Sequence, residues 1–192
     1  MTLALAPTYF DPARGSGFPG GHEVDRKHAP YAGQAGPCAI TPDQSSALRE
    51  LQAGYWALVD GRERGNPAEL FTADAVFELG TLRLSGRAQI DEFFRSREAV
   101  ALRDGRVTRH LPSDVRLRAL AADRVVATST VIVMAGHGPL PIASVLPSIG
   151  DFEDLCVRET DACWRFAHRR ATSVFAGPEA PGFARSAGPQ EG

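Results

Sequence analysis

The chain has 192 residues, with 21 Lys and Arg against 23 Asp and Glu, a formal net charge of −2 and 43% hydrophobic residues. This size and composition are those of one soluble globular domain. The near balance of charge, without a long basic run, argues against nucleic acid or an anionic membrane as a partner. Because no apolar run could span a bilayer and residues 1–6 are too short for a secretory signal, we expect a cytoplasmic protein.

The three cysteines, Cys38, Cys156 and Cys163, fit neither a disulfide framework nor a metal knuckle. A hairpin turning at Thr160-Asp161 would set Cys156 opposite about Arg165 and not opposite Cys163, so reduced thiols are expected. The sequence offers no converging cluster of His, Cys and carboxylate ligands. It therefore predicts no metal site, and it indicates no cofactor.

Both ends of the chain differ in composition from its middle. Residues 1–40 alternate Pro and Gly with polar residues and show no structural period, which predicts a tail or a draped arm. Isolated aromatic residues such as Tyr9 and Phe10 could anchor that arm on the domain, although the composition favours disorder. Residues 177–192 are again rich in Gly, Pro, Ser and Ala, which predicts a flexible tail. The folded domain is therefore predicted at 41–176.

Removal of residues 1–40 is expected to leave the domain folded, because they lack periodic apolar content and a self-sufficient helix signal follows them. Limited proteolysis and thermal melting of the shortened chain measure this. A protected N-terminus, or a shortened chain that melts much lower, would show that the arm belongs to the core.

The domain opens with helical segments. Thr41-Pro42-Asp43-Gln44 reads as a capping box with Pro at the first helical position. Apolar residues then recur at helical spacing until Asp60-Gly61 ends the helix. Asn66-Pro67 starts a second, short helix by the same capping logic. The apolar stripe of the first helix consists of Leu48, Leu51, Tyr55, Leu58 and Val59.

Strands dominate the rest of the chain. Period-2 segments predict a short hairpin over 75–80 and 81–84, followed by a helix over about 87–97 and by strands over 115–120, 125–134, 151–158 and 163–174. Helices segregated early and an antiparallel meander late predict an α+β fold. A strongly twisted sheet wrapped around a long helix leaves an apolar cleft at its wide end.

His110 is the residue on which the functional argument rests. An imidazole exchanges protons near neutral pH, so a pocket-facing histidine suits a general acid or base, whereas one at a strand start often has only a structural hydrogen bond. Asp60 ends a helix where the dipole disfavours a carboxylate, so it calls for a local partner. A carboxylate bonded to an imidazole fixes its tautomer. We therefore predict that Asp60 and His110 lie within hydrogen-bonding reach, directly or through one water, and together face a cavity that also receives Tyr55. Tyr55, one turn before Val59, offers either a ligand-binding phenol or a core aromatic ring.

Five further residues are candidates for the pocket wall. Phe77, Phe93 and Phe94 are most simply core residues that could also face a ligand, Asp151 is a candidate for the cleft mouth, and Arg169 is the fifth candidate. Strand alternation puts Arg165 and Arg169 on one face of the last strand. The other face then carries Trp164, Phe166 and His168, and the pattern leaves open which face looks into the cavity.

The order of these elements, together with several short motifs, resembles the SnoaL-like branch of the nuclear transport factor 2 superfamily over about residues 42–175. The resemblance implies a cone-shaped fold in which a strongly curved mixed or antiparallel sheet wraps around the long first helix and encloses a cavity. The motifs are Tyr55…Asp60, Leu70-Phe71-Thr72-Ala73-Asp74-Ala75-Val76-Phe77, Gly86-Arg87-Ala88-Gln89-Ile90, Thr108-Arg109-His110 and Trp164-Arg165-Phe166…Arg169.

A more distant similarity to scytalone dehydratases matches Asp60 and His110 to that family's aspartate and one of its histidines. A second histidine of that family falls near Ser129 or Thr130, and its tyrosine before the aspartate is Val59. The resemblance implies a cofactor-independent lyase, isomerase or polyketide cyclase of secondary metabolism that acts on a small, hydrophobic, carbonyl-bearing substrate. The alternative is a non-catalytic binding or assembly domain of the dioxygenase small-subunit kind, with a filled cavity.

We also expect a homodimer. Val125, Val131 and Val133 lie in one strand, and a sheet of this length is expected to offer an apolar outer surface that one copy of the domain does not cover. Relatives of this fold commonly pair through the sheet.

Overall fold

The structure of this protein is a computed structural model that describes residues 39–143 and 146–185. All of them belong to one compact unit. The predicted arm up to residue 38, including Cys38, lies outside the described residues. In the described part of the chain, no helix has both the length and the hydropathy needed to cross a membrane.

The first helix, α1, spans Pro42–Val59 and begins at the predicted capping box. The Thr41 hydroxyl accepts from the backbone N–H of Gln44 at 3.2 Å, and the Gln44 side chain accepts from the backbone N–H of Thr41 at 2.9 Å. A short 3-10 helix, Pro67–Leu70, follows, with Asn66 as its cap. The buried side of α1 carries Leu48, Leu51, Gln52, Tyr55, Trp56 and Ala57.

The second helix, α2, spans Arg87–Asp104 and is seven residues longer at its C-terminal end than the predicted segment. The residues after 97 include Ala, Val and Leu, which continue a helix without strain. The helix ends only at Gly105, whose positive φ of 59° gives the left-handed cap that glycine adopts without cost. Its Ile90 and Phe94 are buried in the core.

Six strands form one mixed sheet in the order β2-β1-β6-β5-β4-β3. All neighbouring strands pair antiparallel except β1 and β6, which run parallel. The early helices and the curved sheet confirm the predicted α+β cone. The strands are β1 Phe71–Leu79, β2 Leu82–Ser85, β3 Arg106–Ala121, β4 Arg124–His137, β5 Ser148–Arg158 and β6 Trp164–Phe175.

The packed chain continues past residue 176, where the sequence predicted the domain to end. Residues 177–185 include a single turn of helix, α3, at Gly182–Arg185, and Ala180 and Ala184 are buried. The backbone N–H of Thr81 donates to the Phe183 carbonyl at 3.1 Å. A Cβ at Gly80 would lie 2.0 Å from that carbonyl oxygen, so glycine is required for this approach. The domain boundaries predicted at residues 41 and 176 stay a prediction.

Candidate active site

A hydrogen-bonded histidine and aspartate join the end of α1 to β3. The Nδ1 atom of His110 lies 2.5 Å from Oδ1 of Asp60, and the backbone N–H of His110 donates to Oδ2 at 2.9 Å. The Thr108 hydroxyl adds a third donor to Oδ1 at 3.3 Å. Because an ionised carboxylate only accepts hydrogen bonds, Nδ1 carries the proton and Nε2 is left with a lone pair. The predicted contact between these two side chains is thus present.

Trp56 fixes the plane of the imidazole. The indole of Trp56 stacks on the His110 ring with 4.4 Å between centroids and 18° between planes. Trp56 is 2% exposed, so the stack is held within the core. Sequence reasoning missed this residue, although its position one turn before Asp60 places both on the same face of α1.

A cavity of about 110 Å³ opens beside this histidine. His110 and Thr108 contribute to its wall from β3, whereas Asp60 lies behind the imidazole with its side chain 1% exposed. Four of the predicted aromatic residues line the same cavity. They are Tyr55, Phe77, Phe93 and Phe94.

Tyr55 keeps its phenolic proton. Burial raises the pKa of Tyr55, while the positive charge of Arg169 opposes the shift. The ring is 2% exposed and packs edge-on against Trp56, Phe71, Phe94 and Phe166. A neutral phenol in the wall of an apolar cavity is a hydrogen-bond donor for an oxygen of a bound molecule.

Arg169, predicted as a pocket residue, is instead buried beneath the cavity wall. Its guanidinium is fully buried and lies 3.9 Å from the centroid of the Tyr55 ring. Nη2 donates to Gln52 at 2.9 Å and to Asp154 at 3.2 Å. Nε lies 3.1 Å from the other Asp154 oxygen, too misaligned for a hydrogen bond. Arg169 is therefore not among the residues that line the cavity.

A β-bulge explains why Arg169 lies on the same face as Phe166, although strict strand alternation predicts the opposite face. Cys156 pairs with Phe166, but the preceding residue of β5, Leu155, pairs with His168. The extra residue in β6 is Ala167, and one inserted residue reverses which face every later side chain takes. Arg169 consequently joins Phe166 on the inner face, and the two lie 4.3 Å apart, measured from guanidinium carbon to ring centroid.

Asp151 also lies outside the cavity lining. It is exposed, and its carboxylate accepts from the Thr130 hydroxyl at 2.8 Å, since the two residues face each other across β4 and β5. The Asp151 carboxylate is therefore engaged in a hydrogen bond on the surface of the sheet.

The segment after β6 supplies one wall of the cavity that the sequence did not predict. Phe183 packs edge-on against Phe93 with 6.0 Å between ring centroids. The Glu179 carboxylate lies 3.2 Å from Nη1 of Arg106 and 3.5 Å from Nδ1 of His137. Nothing in the composition of this stretch distinguishes it from a solvated tail, because its apolar residues are few and unevenly spaced.

The comparisons with known proteins agree with this fold. A family model described as a SnoaL-like domain matches residues 43–170. The search of curated proteins finds no match. Among solved structures, a scytalone dehydratase-like protein from Novosphingobium aromaticivorans has a TM-score of 0.63 at 17% identity, covering 78% of this chain and 94% of its own.

Two further solved structures are similar. ActVI-ORFA from Streptomyces coelicolor has a TM-score of 0.58 at 20% identity, covering 69% of this chain and 98% of its own. A hexachlorocyclohexane dehydrochlorinase, LinA type 2, has a TM-score of 0.58 at 18% identity, covering 78% of this chain and 95% of its own. At these identities the structures share the fold, and the family match extends over most of the chain. The chain therefore belongs to the SnoaL-like domains of the nuclear transport factor 2 superfamily.

Proposed function

We propose that this protein is a cofactor-independent lyase, isomerase or cyclase that moves a proton on a small, hydrophobic, carbonyl-bearing substrate. The observation that carries the proposal is the His110–Asp60 pair, with the imidazole in the wall of an open cavity and the carboxylate behind it. An open cavity favours an enzyme over the assembly-domain alternative, which calls for a filled one. The similar structures named as a dehydratase-like protein and a dehydrochlorinase support elimination chemistry.

The chemical step begins at Nε2 of His110. Nε2 takes a proton from the carbon next to the substrate carbonyl, the C–H electron pair becomes the C=C bond of an enolate, and the carbonyl π pair moves to oxygen. Asp60 stabilises the imidazolium that forms. Tyr55, as a neutral phenol, is suited to donate a hydrogen bond to the enolate oxygen.

The enolate has three outcomes, which differ in where its electron pair goes. Return of the proton to another carbon gives an isomer. Loss of a group on the next carbon gives an unsaturated product, and attack on a second carbonyl closes a ring. All three share the first proton transfer, so that transfer is the step to measure.

Proton exchange on a model ketone tests the proposal directly. In D₂O the protein is expected to accelerate deuterium incorporation next to the carbonyl of 2-tetralone, a hydrophobic bicyclic ketone, and proton NMR follows the loss of those signals. The matched control is the same concentration of His110→Ala. An exchange rate with the native protein no higher than with this variant contradicts the proposal.

A further inference from the structure

Arg97 is a cation in the cavity wall without a carboxylate partner. It lies one turn after Phe93 on α2, and its guanidinium carbon is 5.6 Å from the centroid of that ring. Within residues 39–143 and 146–185, Arg97 makes no hydrogen bond or ion pair. Two other arginines on the same helix do: Arg95 pairs with Asp91 at 2.9 Å and Arg103 with Asp104 at 2.7 Å.

The surroundings of Arg97 disfavour its charge. Burial lowers the pKa of Arg97, and the positive charge of Arg106 lowers it further. A desolvated guanidinium stays protonated, so its charge is compensated only by an anion or by acceptor oxygens. The carboxylate nearest to this end of the cavity, on Glu179, is already occupied by Arg106 and His137.

The contacts of Arg106 show which ligand groups bind at this end of the cavity. Its guanidinium takes both a carboxylate oxygen and the backbone carbonyl of Glu179, at 3.2 Å and 2.8 Å. The planar fork of an arginine matches the two oxygens of a carboxylate better than any neutral group. Arg97 lines the same cavity and is close enough for the charge of Arg106 to lower its pKa. Among the described residues it has no such partner, so its guanidinium is available for a second carboxylate.

The spacing of Arg106 and His110 along β3 indicates the length of a ligand that contacts both ends of the cavity. Arg106, Thr108 and His110 alternate along the inner face of β3, and all three line the cavity. Two residues of a strand rise about 7 Å, so Arg106 and His110 stand roughly 13 Å apart along the backbone. A molecule that reaches from the Arg106 end of the cavity to His110 therefore extends along an otherwise mostly apolar wall.

We propose that Arg97, with Arg106 beside it, binds a carboxylate group of the substrate. The substrate is then an elongated hydrophobic acid, with its carboxylate at the arginine end and its reacting carbonyl at the His110 end. The assignment of the carboxylate site rests on the surroundings of Arg97 and does not depend on the proposed function. Only the orientation of the substrate rests on that function.

Calorimetric titration with a matched pair of ligands tests the site. The probes are 3-phenylpropanoate and 3-phenylpropanamide, which have the same shape and differ in charge. The native protein is expected to bind the carboxylate at least about 10-fold more tightly than the amide, the difference that one charge-assisted pairing gives. Equal affinities for the two probes would overturn the proposal.

Three variants assign the preference to Arg97. Arg97→Gln is expected to bring the two affinities within about 2-fold of each other, and Arg97→Lys is expected to keep most of the preference. Arg95→Gln removes an equivalent charge from the exposed side of α2 and is the matched control, which keeps the full preference. If Arg97→Gln retains the native preference, or Arg95→Gln loses it, the site is not at Arg97.

Two further measurements separate this site from the catalytic proposal and from a role in folding. His110→Ala is expected to lose proton exchange and to keep the carboxylate preference, so either proposal can fail without the other. Without ligand, Arg97→Gln is expected to melt no lower than the native protein, because it removes an uncompensated cation. Melting of this variant well below both the native protein and Arg95→Gln would make Arg97 a structural residue and overturn the proposal.

Discussion

His110→Ala is expected to slow proton exchange on the model ketone roughly 10²- to 10⁴-fold, which is the range for losing a general acid or base. The side chain is partly buried but lies at the edge of a cavity, so the fold should tolerate its removal. The measurement is the deuterium incorporation rate under saturating ketone, with circular dichroism to compare the folded state of both proteins.

His168→Ala is the matched control for this loss. His168 is also hydrogen-bonded to a carboxylate, with Nε2 at 3.0 Å from Glu78, but it does not line the cavity. Its removal is expected to leave the exchange rate within about 2-fold of native, since catalysis by a base requires contact with the proton it abstracts. An equal loss in both histidine variants would trace the effect to general destabilisation.

Asp60→Asn is expected to cost less than His110→Ala, because the amide keeps the shape and removes only the charge that supports the imidazolium. The double variant should be little slower than His110→Ala alone, since groups that act as one unit are not additive. If the two losses multiply in the double variant, Asp60 acts independently of the imidazole, and its role in orienting His110 is refuted.

Asp154→Asn is expected to lower the free energy of unfolding by about 3–5 kcal/mol, the usual result of breaking a buried ion pair from one side. The variant leaves Arg169 charged, fully buried and without a carboxylate. Urea unfolding followed by far-ultraviolet circular dichroism measures the change. Asp161→Asn, which breaks an exposed pair with Arg165 on the same hairpin, is the control and is expected to have little effect.

Arg169→Met is expected to destabilise less than Asp154→Asn, because a buried carboxyl can take up a proton and a guanidinium cannot release one. Burial raises the pKa of Asp154, and the charge of Arg169 opposes that shift in the native protein. Without Arg169 the folded-state pKa lies further above the unfolded value. The loss of stability in Arg169→Met, relative to the native protein at the same pH, should therefore be smallest below the unfolded-state pKa of Asp154 and grow as the pH rises through its folded-state pKa.

Replacing both members of the pair, in Asp154→Leu with Arg169→Met, should recover most of the stability lost in Asp154→Asn. A double variant as unstable as Asp154→Asn would show that the fold depends on the polar network itself. In the native protein the Arg169 guanidinium also lies within 5.2 Å of the ring centroids of Tyr55, Trp56, Phe152 and Phe166. Because the double variant loses these contacts, we expect the recovery of stability to be incomplete.

The sequence predicted the elements whose signals are local. The capping box at Thr41 and the period of α1 placed Tyr55 in the buried stripe of the helix and Asp60 at its end, whereas the start of β3 at Arg106 lies before the strand predicted from residue 115. The meeting of Asp60 with His110 followed from fold resemblance, because a contact across 50 residues leaves no local pattern.

The features that the sequence did not predict depend on contacts between residues that are far apart in the chain or on an irregularity in a strand. An inserted residue at Ala167 reverses the alternation of β6, and nothing in its apolar pattern marks the bulge, so Arg169 was assigned to the face opposite Phe166. The Trp56 stack on His110 requires the register of α1 against β3. The contacts of residues 177–185 depend on the edge of the sheet, where Gly80 admits the Phe183 carbonyl.

The wall formed by residues 179–184 lies beyond residue 170, where the match to the family model ends. The Asp60–His110 pair, by contrast, lies within the matched region. The proposed proton-transfer pair and this one wall of the cavity thus lie in separable stretches of the chain. Point changes, insertions or shortening after β6 can therefore reshape this wall while Asp60 and His110 keep their geometry, so the choice of ligand can change while the proposed chemical step is kept.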